Sequence, residues 1–153
     1  MELQFQNVYQ QVENWYVLDS ELPWDVKKLR EDLFSLIGVC KTPVIFCDTC
    51  DANDVLLSLG EEEEEFLFPV GGFYHKEKQL IFVCMWEEYD QVLKTLLHEF
   101  RHAMQHKRDI LYVGSERYEE RWIEKDARKF AERKLDEYKR DRKSTRLNSS
   151  HAT

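Results

Sequence analysis

Between Glu88 and His106 apolar residues recur every three or four positions: Val92, Leu93, Leu96, Leu97, Phe100, Ala103 and Met104. Only a helix with one buried face satisfies that period. The element constrains the rest of the chain because its two faces need opposite surroundings. At 100° per residue His98 and His102 lie about 40° apart and Glu99 about 100° from His98, whereas Leu93, Leu96, Phe100 and Ala103 fall on the far side. The fold must supply a core to one face and leave the other over open space. Side chains four residues apart stand one above the other with Cβ atoms roughly 5–6 Å apart, so the two imidazoles can reach one metal ion.

The other elements are read by the same periodicities. Phe5, Val8, Tyr9, Val12 and Tyr16 recur at helical spacing, which predicts a first helix over about residues 4 to 17. A second helix follows Pro23, with Val26, Leu29, Leu33, Leu36 and Ile37 as its stripe and Gly38 as its stop. Val44-Ile45-Phe46-Cys47 reads as a strand, Asp48 to Asp54 as a polar turn and Glu61 to Glu65 as a solvated loop. The segment Gly71 to Cys84 joins an aromatic run to an aliphatic one through four polar residues, the pattern of a hairpin. After a loop holding Gly114, a last helix is expected from about Glu116 to Tyr138 with Ser115 as N-cap. The order helix, helix, strand, hairpin, helix, helix gives an α+β class.

Length and charge narrow the possibilities. The 153 residues suit one domain, and no stretch approaches the roughly 18 apolar residues of a membrane span. The first residues lack the basic and apolar regions of a secretion signal, so a soluble cytoplasmic protein is expected, with no membrane partner. Residues 141–153 resemble a translated sequencing adapter and are set aside, leaving one expected domain over 1–140. Setting them aside takes the formal charge from −8 to −10. An acidic chain without a basic patch is not expected to bind nucleic acid. Cys40, Cys47, Cys50 and Cys84 are expected as thiols rather than disulfides.

His98-Glu99-Phe100-Arg101-His102 has the HExxH form, which this composition would produce by chance about 0.02 times. A catalytic zinc site takes three protein ligands and an open position for water. His106 lies about 12 Å along the axis from His98, too far to share its ion, and is expected as a solvated helix-end residue. In the last helix Ile123, Ala127, Phe130, Ala131 and Leu135 mark the packing face, with Glu124 beside the two small alanines. Glu124 is the favoured third ligand. Glu120, one turn earlier, is its rival, and a third alternative is that neither ligates.

Together, His98-Glu99-x-x-His102 and Glu124-Lys125-Asp126-Ala127-Arg128-Lys129-Phe130-Ala131 resemble the gluzincin metallopeptidases of the ImmA/IrrE kind. The hairpin from Gly72-x-Tyr74 to Leu80-Ile81-Phe82-Val83 is similar to the strand pair before their metal helix. The resemblance covers about residues 70 to 135, and it departs from the family pattern Glu-x-Glu-Ala-Asn-x-Phe-Ala at Asp126 and Arg128. It implies a compact zincin-like α+β domain and a Zn2+-dependent peptidase. His98, His102 and Glu124 would hold the ion, and Glu99 would act as general base toward a peptide or protein substrate. Tyr74 and His75 would line the substrate cleft, and Arg101, Tyr112 and Tyr118 are candidate oxyanion donors. Two rivals stand beside it, a non-catalytic zinc-binding interaction protein and a thiol redox protein using Cys47-x-x-Cys50.

Overall fold

In the computed structural model, residue 5, residues 7–109 and residues 116–151 are described, with side chains for 5, 7–107 and 121–142. Two short strands, β1 (Gln10–Val12) and β2 (Trp15–Val17), lead into α1 (Val26–Ile37), β3 (Val44–Phe46) and α2 (Thr49–Ser58). The hairpin β4 (Gly72–His75) and β5 (Leu80–Val83) follows, and then the long helices α3 (Tyr89–Asp109) and α4 (Glu116–His151). The five strands form one sheet in the order β1-β2-β3-β5-β4. β2, β3 and β5 run parallel, and the outer strands β1 and β4 are antiparallel to their neighbours. The class is α+β.

Every residue of β3 and β5 is buried, as expected for strands covered on both faces. On one face Trp15, Val17, Val44, Phe46, Ile81 and Val83 pack against α1, α3 and α4. On the other Ile45, Cys47, Leu80 and Phe82 pack against Ala52, Val55 and Leu56 of α2. Phe100 anchors the larger cluster. Its ring lies 6.2 Å from those of both Trp15 and Phe34, so the apolar face of α3 is fixed and its histidine face turns outward.

Three expectations are corrected. The segment expected as a first helix over residues 4–17 holds the β1–β2 hairpin, closed by Glu13 and Asn14 with Glu13 at φ 53°. Trp15, which is off the helical stripe, is fully buried, Val17 is buried, and Tyr16 between them faces the opposite cluster. Burial with period 2 outweighs the weaker helical spacing. The polar turn expected over Asp48 to Asp54 is the start of α2, because the Asp48 side chain accepts from the Asp51 N–H at 2.7 Å and caps the helix. Asp25 caps α1 in the same way. The last helix runs on to His151 rather than ending near Tyr138, with no proline or glycine to stop it. Arg142, in the stretch that resembles an adapter, lies 3.4 Å from Asp90. Gly114 and Ser115 lie outside the described residues. Among those described, no helix is long and apolar enough to cross a membrane.

The edge strand β4 lies directly against α3. A Cβ on Gly72 would sit 2.5 Å from the Phe82 carbonyl oxygen and 2.7 Å from Thr95 Cγ2. Gly72→Ala should therefore destabilise the protein by about 1–3 kcal/mol, as overpacking does, read as a lower denaturation midpoint at unchanged m-value. An unchanged midpoint would show that strand and helix can part freely.

Candidate metal centre

The outward face of α3, the edge strand β4 and the start of the described part of α4 enclose a cleft of about 600 Å³. Its walls include Tyr74, Lys76, His98, Glu99, His102, Gln105, His106 and Glu124. His98 and His102 stand one turn apart, with ring centroids 4.8 Å apart at 73°. Across from them Glu124 divides its carboxylate: Oε2 is 3.3 Å from His98 Nε2 and Oε1 is 2.9 Å from His102 Nε2. The close packing that delivers Glu124 comes from Ala127 and Ala131, both fully buried where α4 meets the core. One ligand-type atom from each of His98, Glu99 and His102 also falls within a 4.8 Å group.

The two glutamates differ in surroundings. The Glu124 side chain is 66 % exposed, whereas Glu99 is only 7 % exposed and has no hydrogen-bond partner among the described residues. Burial first, and then the negative charge of Glu124, push the Glu99 carboxyl up to about 8. His98 is held below the ordinary imidazole range, first by burial and then by the neighbouring His102, with Glu124 opposing. Glu124 offers oxygens to an ion, and Glu99 beside it is a carboxyl that keeps its proton up to about pH 8 and that a cation alongside would favour in its ionised form.

His102 is oriented from behind. The Gln105 amide N–H2 donates to the Ile123 carbonyl at 2.9 Å and to Asp126 Oδ2 at 2.8 Å. Both partners are acceptors, so the Gln105 amide oxygen, 2.9 Å from His102 Nδ1, must accept from that ring nitrogen. A neutral His102 thereby turns its Nε2 lone pair toward Glu124 Oε1. In that neutral tautomer two acceptors face each other at 2.9 Å, an arrangement that a cation between them relieves, whereas a proton on Nε2 would instead be donated to Glu124. The donor set of two imidazoles and a carboxylate suits zinc, and the three residues could hold it.

The candidate residues from the sequence fall as follows. His98, Glu99, His102, Glu124 and Tyr74 share the cleft. His75 does not: it follows Tyr74 on the alternate face of β4, is 5 % exposed, and its Nε2 faces Glu64 at 4.0 Å and Glu77 at 3.9 Å. Arg101 is turned away from the cleft, donating to Asp126 at 2.7 Å and lying 4.6 Å from the Phe130 ring. His106 is not the solvated residue expected, since it pairs through Nδ1 with the Tyr74 hydroxyl at 3.0 Å. The side chains of Tyr112, Tyr118 and Glu120 lie outside the described set. Sequence reasoning missed Gln105 and Asp126, although Gln105, three residues after His102, occupies the spacing at which helical neighbours touch.

The cysteines have a different character. Cys47 is fully buried and Cys84 partly so, and burial pushes both thiols well above their ordinary range. Nucleophilic thiols need the opposite shift. No curated protein and no solved structure matches the chain. Over residues 17–143 the sequence matches the profile of a family described as a protein of unknown function, DUF3920, and the chain belongs to that family.

Proposed function

We propose that this chain is a zinc-dependent peptidase of the gluzincin kind, resembling ImmA/IrrE proteins, with a zincin-like arrangement of sheet and metal helix. The observation that carries the reading is the convergence of His98 Nε2 and His102 Nε2 on the two oxygens of Glu124, with Glu99 buried beside them. Zinc held there would polarise a carbonyl and lower the pKa of water toward about 7. Glu99, adjacent in sequence to one ligand and free of competing hydrogen bonds among the described residues, would be ionised by a cation held alongside and would then accept a proton from water as general base. Gln105, fixed by Asp126 and the Ile123 carbonyl, keeps His102 in the ligating tautomer.

The edge strand supports a peptide as substrate. Cys84 N–H donates to the Gly71 carbonyl at 2.8 Å, and antiparallel pairs alternate in hydrogen bonding. The register Phe73↔Phe82 and His75↔Leu80 then carries the bonds to β5, and the main chain of Gly72 and Tyr74 faces outward. An extended peptide can add to that edge beside Glu99. The acidic charge of −8 and the absence of a basic patch in the sequence favour peptide over nucleic acid. A cytoplasmic site of action is part of this proposal.

Metal analysis tests the reading. Purified wild-type chain should carry one zinc per chain, Gln105→Ala should bind it about 10–100-fold more weakly, and Glu124→Ala should lose most of it. Wild-type protein without zinc, or full occupancy in Glu124→Ala, would overturn the proposed centre.

A further inference from the structure

Hydrolysis of a peptide needs a donor where the carbonyl oxygen gathers negative charge. Among the described donors lining the cleft, the Gln105 amide is committed to Ile123 and Asp126, and Lys76 is an exposed chain at the end of β4. Tyr74 is different. Its ring packs against the main core cluster, its hydroxyl is 3.0 Å from His106 Nδ1, and Tyr74 and His106 both line the same cleft as the three ligand residues and Glu99. His106 is one helical turn beyond His102 on the same face of α3, so one helix carries the ligands, the base and the partner of the phenol.

We propose that Tyr74, positioned by His106, donates its hydroxyl hydrogen to the oxyanion that forms on the scissile carbonyl. The inference rests on the peptidase reading. The same residue whose outward main chain can pair with an extended substrate presents a hydroxyl to that substrate's carbonyl, which ties register to chemistry. When His106 Nδ1 carries its proton, it donates to Tyr74 Oη and leaves the phenolic hydrogen for the substrate. Burial raises the Tyr74 pKa further above neutrality, so the group stays a neutral donor. In the addition step a water lone pair forms the C–O bond, the water proton passes to Glu99, and the carbonyl π pair moves onto the oxygen facing Tyr74. Collapse returns that pair, breaks the C–N bond and delivers the Glu99 proton to the departing amine.

The test uses the zinc-loaded full chain with two probes: labelled casein for turnover, and inorganic phosphate as a tetrahedral oxyanion followed by isothermal titration. Tyr74→Phe should keep its zinc, lose about 10²–10³-fold in kcat at a KM within about twofold, and bind phosphate about tenfold more weakly. His106→Ala should lower kcat by less, and the double variant should be no worse than Tyr74→Phe alone, because the two act as one unit. Tyr74→Phe with zinc retained and unchanged phosphate affinity overturns this inference and leaves the peptidase reading standing. If casein is not cleaved by zinc-loaded wild type, the phosphate arm decides alone. Wild-type chain that holds no zinc overturns the peptidase reading and this inference with it.

Discussion

Glu99→Gln should leave zinc occupancy at the wild-type level while peptide hydrolysis falls by about 10²–10⁴-fold, the range over which a positioned general base accelerates a reaction. The amide has the volume of the carboxyl, so the packing around a residue only 7 % exposed is kept. What it lacks is the capacity to accept a proton from water. The comparison separates the two zinc-based readings, because an interaction protein that merely holds the metal would behave the same with either side chain. Parallel metal analysis and a casein assay on both proteins check the expectation. Hydrolysis that persists in Glu99→Gln would assign the proton transfer to another group.

The same substitution should have a second, separable effect on the metal-free protein. Glu99 moves from an ordinary value of 4.5 to about 8 on folding, so the folded state holds a proton that the unfolded state has already released between those limits. The stabilising contribution of the neutral carboxyl is fully present below pH 4.5 and is lost as pH rises through about 8. At 1.36 kcal/mol per pH unit the span amounts to roughly 5 kcal/mol. His98, whose value is lowered by folding, acts in the opposite sense, with stability lost as pH falls below its ordinary 6.5. That second contribution is common to both proteins and drops out of their comparison. Metal-free Glu99→Gln should thus match wild type at pH 4 and exceed it increasingly up to pH 9 in urea denaturation. Parallel curves across that range would show that Glu99 is solvated and not the buried carboxyl described above.

Much of the centre was legible because a helix converts spacing into direction. His98, Glu99 and His102 could be placed on one face from their positions alone, and Phe100 and Ala103 on the other, since 3.6 residues per turn leaves little freedom. Glu124 required an argument about close approach at Ala127 and Ala131, and the contact it makes spans 22 residues of sequence to His102 and 26 to His98. The supporting layer was not legible. Gln105 gains its role only when Asp126 and the Ile123 carbonyl arrive from α4, and no periodicity reports which acceptors a second helix will bring. His106 was misread for the same reason. Its partner Tyr74 comes from a strand 32 residues earlier. The N-terminal hairpin was hidden because Val and Tyr suit both a sparse helical stripe and a strand, and only the burial of Trp15 and Val17 decides between them.

Gly72 has one more consequence. With no side chain between β4 and Thr95, strand and helix stand as near as backbone and threonine permit, and the cleft that both border takes its width from that approach. A methyl group at this position would act like a shim, widening the gap through which the proposed extended substrate would pass on its way to Glu99. The gauge of the groove is thus set by an atom that is missing, more than twenty residues along the sequence from His98, Glu99 and His102.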